Sequence, residues 1–175
     1  MENQQGEGYG YMNIDYEIVT NEKQWFTLKI NVSEIAASSN TYYMFYHIDK
    51  RTGKIVEFKE LFRDDTYKEV METEIKKQMN EQMQADENIK YWTDENQAGE
   101  EFVSVSENQS FYWERNGDIV IVFDKYEVGP GAMGTPKFVI AKEKINDILK
   151  EAYKGLEFET SQTEVQNEPP IEEQN

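Results

Sequence analysis

One histidine, 35 acidic side chains and one glycine-rich loop hold most of the chemistry this sequence can offer. His47 lies in a stretch where Tyr43, Phe45 and His47 alternate onto one side of a predicted strand. A histidine that acts as a general base needs a nucleophile to deprotonate and a third group to orient its ring. The chain has no Gly-x-Ser-x-Gly elbow and no cysteine, so His47 reads as a packed strand histidine rather than a catalytic one. The absence of cysteine also excludes disulfides, a thiol nucleophile and sulfur-ligated zinc. Among so many carboxylates a chance pair carries little information about glycoside hydrolysis, which needs two of them at a set separation across a cleft. Asp124 and Glu127 stand three residues apart, without the Asp-x-Asp pattern of a calcium loop, and read as loop anchors or rim charges. No catalytic residue, metal or cofactor is expected.

Gly129, Gly131 and Gly134 reproduce the Gly-x-Gly-x-x-Gly spacing of a dinucleotide site. That fingerprint must open a helix, because the pyrophosphate sits on a helix N-terminus. Here Pro130 and Pro136 interrupt the segment, a strand follows it, and no basic residue lies inside it, so nucleotide binding is rejected. What remains is a loop bent by glycines, which take backbone angles other residues avoid, and by prolines, which fix their own. A loop so constrained holds one shape, which suits recognition and plain structure alike.

The elements that must position this loop are legible around it. Ile119 to Phe123 is a short continuous apolar run, as in a strand buried on both faces, and Lys137 to Ile140 is its return strand. Asn116-Gly117 predicts a tight hairpin between 111–114 and 118–123. Further upstream, Met12, Ile14, Tyr16 and Ile18 share one face of a strand, and Phe26, Leu28, Ile30 and Val32 alternate along a second as an inward-facing set. A third strand covers Thr41 to Asp49, and a hairpin with Gly53 leads to a fourth over Lys54 to Phe58. The period then changes. A helix from about Thr66 to Gln84, capped by Asp64 or Asp65, carries Tyr67, Val70, Met71, Ile75, Met79 and Met83 on one stripe, most simply a core stripe facing a sheet. Residues 85–101 read as a long acidic loop, Phe102 to Val105 as a brief strand, and Lys142 to Tyr153 as a closing helix.

The order of elements predicts an α+β domain, an antiparallel sheet packed against a long amphipathic helix and a C-terminal helix. One domain is expected over 1–154, followed by a disordered acidic tail over 155–175 with six Glu and no Lys or Arg. The polar, glycine-containing start shows no signal peptide and reads as a frayed end or as a boundary within a longer precursor, and no run of about twenty apolar residues is present to span a bilayer. The net charge of −17 disfavours nucleic acid and anionic membranes and favours basic partners. Tyr and Trp in excess of what one core needs fit a domain that binds a basic protein, or carbohydrate by ring stacking.

The segments HIDKRTGKIVEFKELF and FYWERNGDIVIVFDKYEVGPGAMGTPKFVI, with the helix between them, resemble the extracytoplasmic domain of RsiV-type anti-sigma factors over about Thr41 to Leu149. The same domain type is attached to some peptidoglycan deacetylases and occurs in lipoproteins of unassigned role. The resemblance implies a non-catalytic sensor domain at the extracytoplasmic face of the bacterial cell membrane, outer part of an anchored protein. Such a domain binds and inhibits lysozyme, and binding exposes the anti-sigma factor to proteolysis, which frees an extracytoplasmic-function sigma factor. The sigma factor would be held by a cytoplasmic segment absent from this chain. Strong acidity is what a basic lysozyme would select. On this reading Tyr126, Gly129, Pro130, Gly131, Ala132, Met133 and Gly134 enter the partner's cleft, with Met133 and Tyr126 supplying apolar area. Ser38, Ser39, Asn40 and Thr41 lie beside them. The alternative is a peptidoglycan-binding or accessory module of a lipoprotein or deacetylase.

Overall fold

A computed structural model describes residues 11–35, 39–93, 102–156 and 158. The predicted acidic tail, apart from 155, 156 and 158, lies outside the described residues, as do the start and residues 94–101 of the acidic loop. The class is α+β, as the order of elements predicts, with two antiparallel sheets in place of one. The first sheet is a meander of β1 (Tyr11–Asn21), β2 (Trp25–Ile35), β3 (Ser39–Asp49) and the two-residue β4 (Lys54–Ile55). The second has the order β5 (Phe111–Trp113), β6 (Ile119–Val122) and β7 (Lys137–Ile140). Between them run a 3-10 turn over Phe58–Leu61 and the helix α1 (Thr66–Ala85), and α2 (Lys142–Ile145) follows β7.

Local chemistry accounts for these boundaries. Gly53 and Gly117 hold positive φ (70° and 91°) in the two hairpins where their neighbours demand it. The Asp64 carboxylate accepts the Thr66 N–H at 3.0 Å, covering one of the unpaired donors at the start of α1. Tyr67, Met71, Ile75 and Met79 are buried one turn apart along the helix, and Gln78 bonds the main chain of Val139 in both directions, which fixes α1 over the second sheet. All four residues of β6 are buried, so the continuous apolar run marks the central strand.

Three expectations are corrected. The fourth strand stops at Ile55, because Phe58 and Leu61 turn into the core. The closing helix ends at Ile145: the main chain at Ile148 and Lys150 is taken instead by Arg63 and Leu61, around a bridge between Phe62 and Leu149. Residues 102–106 form no strand, although Phe102 and Val105 are buried.

The largest correction concerns the first sheet. Its register pairs Ile14 with Val32, Tyr16 with Ile30 and Ile18 with Leu28, so the two alternating apolar sets do share a face. That face points away from the core, although Val32 within it is buried. The side that meets the rest of the domain carries Trp25, Thr27, His47 and Asp49, all buried. Trp25 packs edge-on against Trp113 (6.5 Å between centroids) and Tyr153 (5.9 Å). Beside it the Asp49 carboxylate receives a two-pronged bond from Arg51, 2.9 Å at each oxygen, which holds its carboxyl below the usual range.

Candidate functional site

The segment 124–136 connects β6 to β7 and is pinned at its base, where the Phe123 N–H donates to the Pro136 carbonyl at 2.9 Å. The Asp124 N–H then donates to the Glu127 carboxylate at 2.7 Å, and the Glu127 N–H returns to the Asp124 carbonyl at 3.1 Å. This reciprocal turn makes Glu127 a loop anchor and forces Tyr126 to φ 70°. A side chain with a Cβ avoids that region at a cost of roughly 1–2 kcal/mol, so the surroundings must hold it there. They do so through Gly131, where an added Cβ would lie 2.3 Å from two atoms of the Tyr126 ring. The ring therefore occupies the space that a side chain at position 131 would fill.

The other glycines divide the work. A Cβ at Gly129 would come 2.7 Å from the Lys90 carbonyl, so this residue lets the loop press against the chain leaving α1. There the Trp92 N–H donates to Val128 at 2.9 Å. Gly131 to Met133 form a single 3-10 turn, closed by bonds from Met133 to Pro130 and from Gly134 to Gly131. Gly134 leaves that turn at φ 65°.

Of the side chains predicted to face a partner, Tyr126 is 60% exposed and Ala132 stands open at the tip. Met133 is different. It is half-buried against the core, so it supports the loop more than it presents apolar area. On the neighbouring strand, Thr41 and Tyr43 face Lys125, Gly131, Ala132 and Thr135 across a shallow cavity of about 240 Å³. The Tyr43 main chain also bonds the Asp124 carboxylate. The fold thus brings Thr41 beside the loop. Asn40 is exposed, Ser39 is placed by its main chain opposite Ile35, and Ser38 lies outside the described residues. Lys125 and Thr135 were not singled out in the sequence, and Tyr43 was noted there only as a strand neighbour of His47. Tyr43 shares a strand face with Thr41, the one signal that would have found it.

The loop is electrostatically mixed. Burial against its walls pushes the Asp124 carboxyl up, opposed by the Tyr43 main-chain bond, and because the residue as a whole is exposed this upward push is weak. Glu127 is likewise raised, by burial first and then by the charge of Asp124, against hydrogen bonds from the Asp124 main chain and Gln109. Lys125 places its ammonium 5.1 Å above the Tyr126 ring. Among the described residues no group of three metal-ligating side chains converges. The arrangement offers a rigid, small-residue tip flanked by an aromatic ring and carboxylates, which suits recognition of a surface.

The contact with Gly131 gives a direct test. Gly131→Val is expected to expel the Tyr126 ring and to destabilise the domain by about 1–3 kcal/mol, the usual cost of overpacking. Ala132→Ser, one residue on and exposed, should stay within about 0.5 kcal/mol. Urea unfolding followed by circular dichroism reads both; equal midpoints would mean that the ring is not held by Gly131.

Comparison with known proteins gives the following. A family model described as "Protein of unknown function (DUF3298)" matches residues 59–143, which takes in α1, the second sheet and the whole loop. The anti-sigma-V factor RsiV of Bacillus subtilis (strain 168) is 38% identical over 143 residues, 80% of this chain and 50% of that protein. The chain therefore spans about half the length of that relative. A DUF3298 family member from Bacteroides fragilis superposes with a TM-score of 0.65 at 22% identity, covering 86% of this chain and 58% of that one. A DUF3298 protein from Pseudomonas aeruginosa PAO1 gives the same score at 11% identity, covering 82% and 63%. At these identities the two solved structures establish the fold alone.

Proposed function

Because this chain carries an RsiV-like domain of the DUF3298 type, we propose that it is the non-catalytic outer domain of an anti-sigma factor and that it binds and inhibits a basic lysozyme. Binding at this domain would mark the longer protein for proteolysis, and the sigma factor held by its cytoplasmic segment would then be released. The domain would work at the extracytoplasmic face of the membrane. Among the described residues no helix is long and apolar enough to cross a membrane, so in this proposal an anchor belongs to another part of the longer protein.

The observation that carries the proposal is the loop. Its shape is set before any partner arrives, by the Tyr126 ring on Gly131 and by the bonds of Asp124 with Glu127. A preformed loop loses little conformational freedom on docking. The small residues from Gly131 to Gly134 allow a partner's walls to approach the backbone closely, as entry into an enzyme cleft requires. The net charge of −17 would raise the rate of encounter with a basic protein and orient it.

Calorimetric titration with a basic C-type lysozyme, at low and moderate salt, is the test. Saturable one-to-one binding that persists at moderate salt, together with loss of lysozyme activity, is expected. Binding that vanishes with salt would reduce the interaction to charge attraction. Ala132→Arg puts a bulky cation at the exposed tip and should weaken binding by roughly tenfold to a hundredfold, the effect of a clash and a like charge at an interface centre. The folded domain should be unchanged, since Ala132 supports no core contact. Unaltered affinity in this variant would remove the loop from the interface. Affinity for peptidoglycan fragments without affinity for lysozyme would favour the cell-wall module, for which the exposed Tyr126 ring offers a stacking surface.

A further inference from the structure

At the end of β6 opposite the loop, the β5–β6 hairpin, α2 and the chain that follows α2 enclose a cavity of about 380 Å³. Preformed small-molecule sites run from about 300 to 1,000 Å³. Local chemistry sets the walls. Gly117 takes φ 91° in the turn, and a Cβ there would come within 3.3 Å of Lys142 Cδ, so the lysine stem lies against the hairpin. The Asp118 carboxylate ties the two sides together. It accepts the Lys142 N–H at 2.9 Å and the Asn116 carboxamide at 2.7 Å. The cavity thus has its shape before anything enters, and little freedom is lost on filling it.

Trp113 lines this cavity, is 4% exposed, and keeps its indole N–H buried without a partner. The Trp25 indole, by contrast, is paired with Thr27. A buried donor left unpaired costs stability that an acceptor placed there restores. Beside it, Leu149, Leu156 and Phe158 give the cavity an apolar wall. At the edge, the neighbouring Lys142 and Glu143 are exposed and carry opposite charges, with the Asn146 carboxamide one turn on. The two charges cancel locally, and the −17 of the whole chain repels an anion from afar. These features describe an uncharged ligand with a carbonyl acceptor for the indole N–H and a small apolar group next to it. Trp113 and Phe158 also border a cavity of about 230 Å³, which is smaller and more polar, with Asn21, Glu22 and Arg115 in its lining, and it fits such a ligand less well.

We propose that this cavity binds an acetamido group, with the carbonyl oxygen on the Trp113 N–H and the methyl group against the apolar wall. N-acetylated sugars and N-acetylated amino acids both carry that group. The site does not rest on the lysozyme reading, because the segment 124–136 leaves β6 at its other end.

Nitrogen–proton correlation NMR of the full 175-residue chain reads the site directly, because each of its three tryptophans gives one indole N–H signal. Trp113→Phe identifies the relevant signal by its loss. The probes are N-acetylglucosamine and N-acetyl-leucinamide. At least one of them should move the Trp113 signal saturably, with a Kd of about 1 mM, as ligands of this size reach. The Trp92 signal should stay in place. A response to the sugar alone assigns an N-acetylated sugar, a response to the amide alone assigns an acylated amino acid, and a response to both assigns the acetamido group itself. Glucose, which lacks that group, should bind about tenfold more weakly or worse, the effect of leaving the donor unpaired. An equal response to glucose would overturn the proposal. Leu156→Arg fills the cavity from its half-buried wall and should weaken the response roughly tenfold or more. Asn146→Arg, at the exposed edge, is the milder companion and should act in the same direction. The other signals of the spectrum report whether each variant is folded. A response indifferent to both substitutions would place binding elsewhere and overturn the assignment. So would a Trp113 signal that stays still at about 20 mM of either probe, far above that Kd, whether the cavity does not accept the group or another part of the chain already fills it.

Discussion

Phe138→Ala is expected to lower the unfolding free energy by about 3–5 kcal/mol, a large share of the roughly 5–15 kcal/mol that holds a domain of this kind folded. Phe138 has no exposed surface. Its ring lies 5.5 Å from Tyr91 and 5.7 Å from Phe123, centroid to centroid, and on β7 it stands opposite Ile121 of β6. Truncation removes the ring's own transfer energy and leaves a cavity that three rigid neighbours cannot collapse. Phe123 and Tyr91 also flank the loop, one at its base and one beneath Gly129. The same substitution should therefore weaken whatever partner the loop binds, even where the protein remains mostly folded. Val139→Ala, next in sequence and 42% exposed, keeps the main-chain bonds from Gln78 and should cost less than about 1 kcal/mol. Urea unfolding of the pair decides the matter: a loss below 1 kcal/mol for Phe138→Ala would mean that the second sheet is not the centre of the core.

Where backbone chemistry is local, the sequence is easily read. Gly53 and Gly117 mark hairpins because their angles admit few other residues, and the helix stripe from Tyr67 to Met79 has one simple burial pattern. Ile119 to Val122 is read as central because four adjacent apolar side chains need cover on both faces. The failures are tertiary. Alternation in β1 and β2 identifies which residues share a face and says nothing about which face meets the helix. That choice falls to Trp25, which finds Trp113 and Tyr153 from the far end of the chain. The closing helix is cut short by main-chain partners at Leu61 and Arg63, about eighty residues upstream in the chain. The loop was legible through its glycines and prolines, but the reason for Gly131 was not, since nothing in the sequence shows that Tyr126 adopts a positive φ and folds back onto it. Thr41 could be placed near the loop only by resemblance; the geometry supplies the bond from Tyr43 to Asp124 that keeps it there.

Acid should destabilise the domain steeply through one residue, His47. Its ring is 4% exposed and stacks on Phe111 at 3.9 Å, with Trp25 at 5.8 Å and Phe45 at 6.4 Å. The Trp25 indole N–H donates to the Thr27 hydroxyl at 3.0 Å, and that hydroxyl stands 3.1 Å from His47 Nδ1 with its proton free to point there. Burial keeps the ring neutral, and a neutral ring can accept that proton at Nδ1. Charging it would strand a cation among aromatic rings and reverse the bond to Thr27. Burial accordingly lowers its pKa from 6.5 to about 3, against a bond from the ring to the Phe111 main-chain carbonyl that favours the charged form. The unfolded chain thus takes up a proton near pH 6.5 that the folded chain refuses until about pH 3. Stability from this residue is complete above the unfolded pKa and falls as the pH drops through that window, by about 1.4 kcal/mol per unit and about 4–5 kcal/mol in all. Asp49, held low by Arg51, adds a loss of the same sign at lower pH, while the raised carboxyls of Asp124 and Glu127 act in the opposite sense. All three are retained in His47→Gln, so the difference between the two proteins isolates the histidine. The variant should be less stable near pH 7, where it loses the packed ring, and should close the gap by roughly 2–3 kcal/mol on acidification to about pH 4.5. Urea midpoints at three pH values measure this gap. Parallel pH profiles would mean that the ring takes its proton in the folded state, and the aromatic cage around it would then have to open.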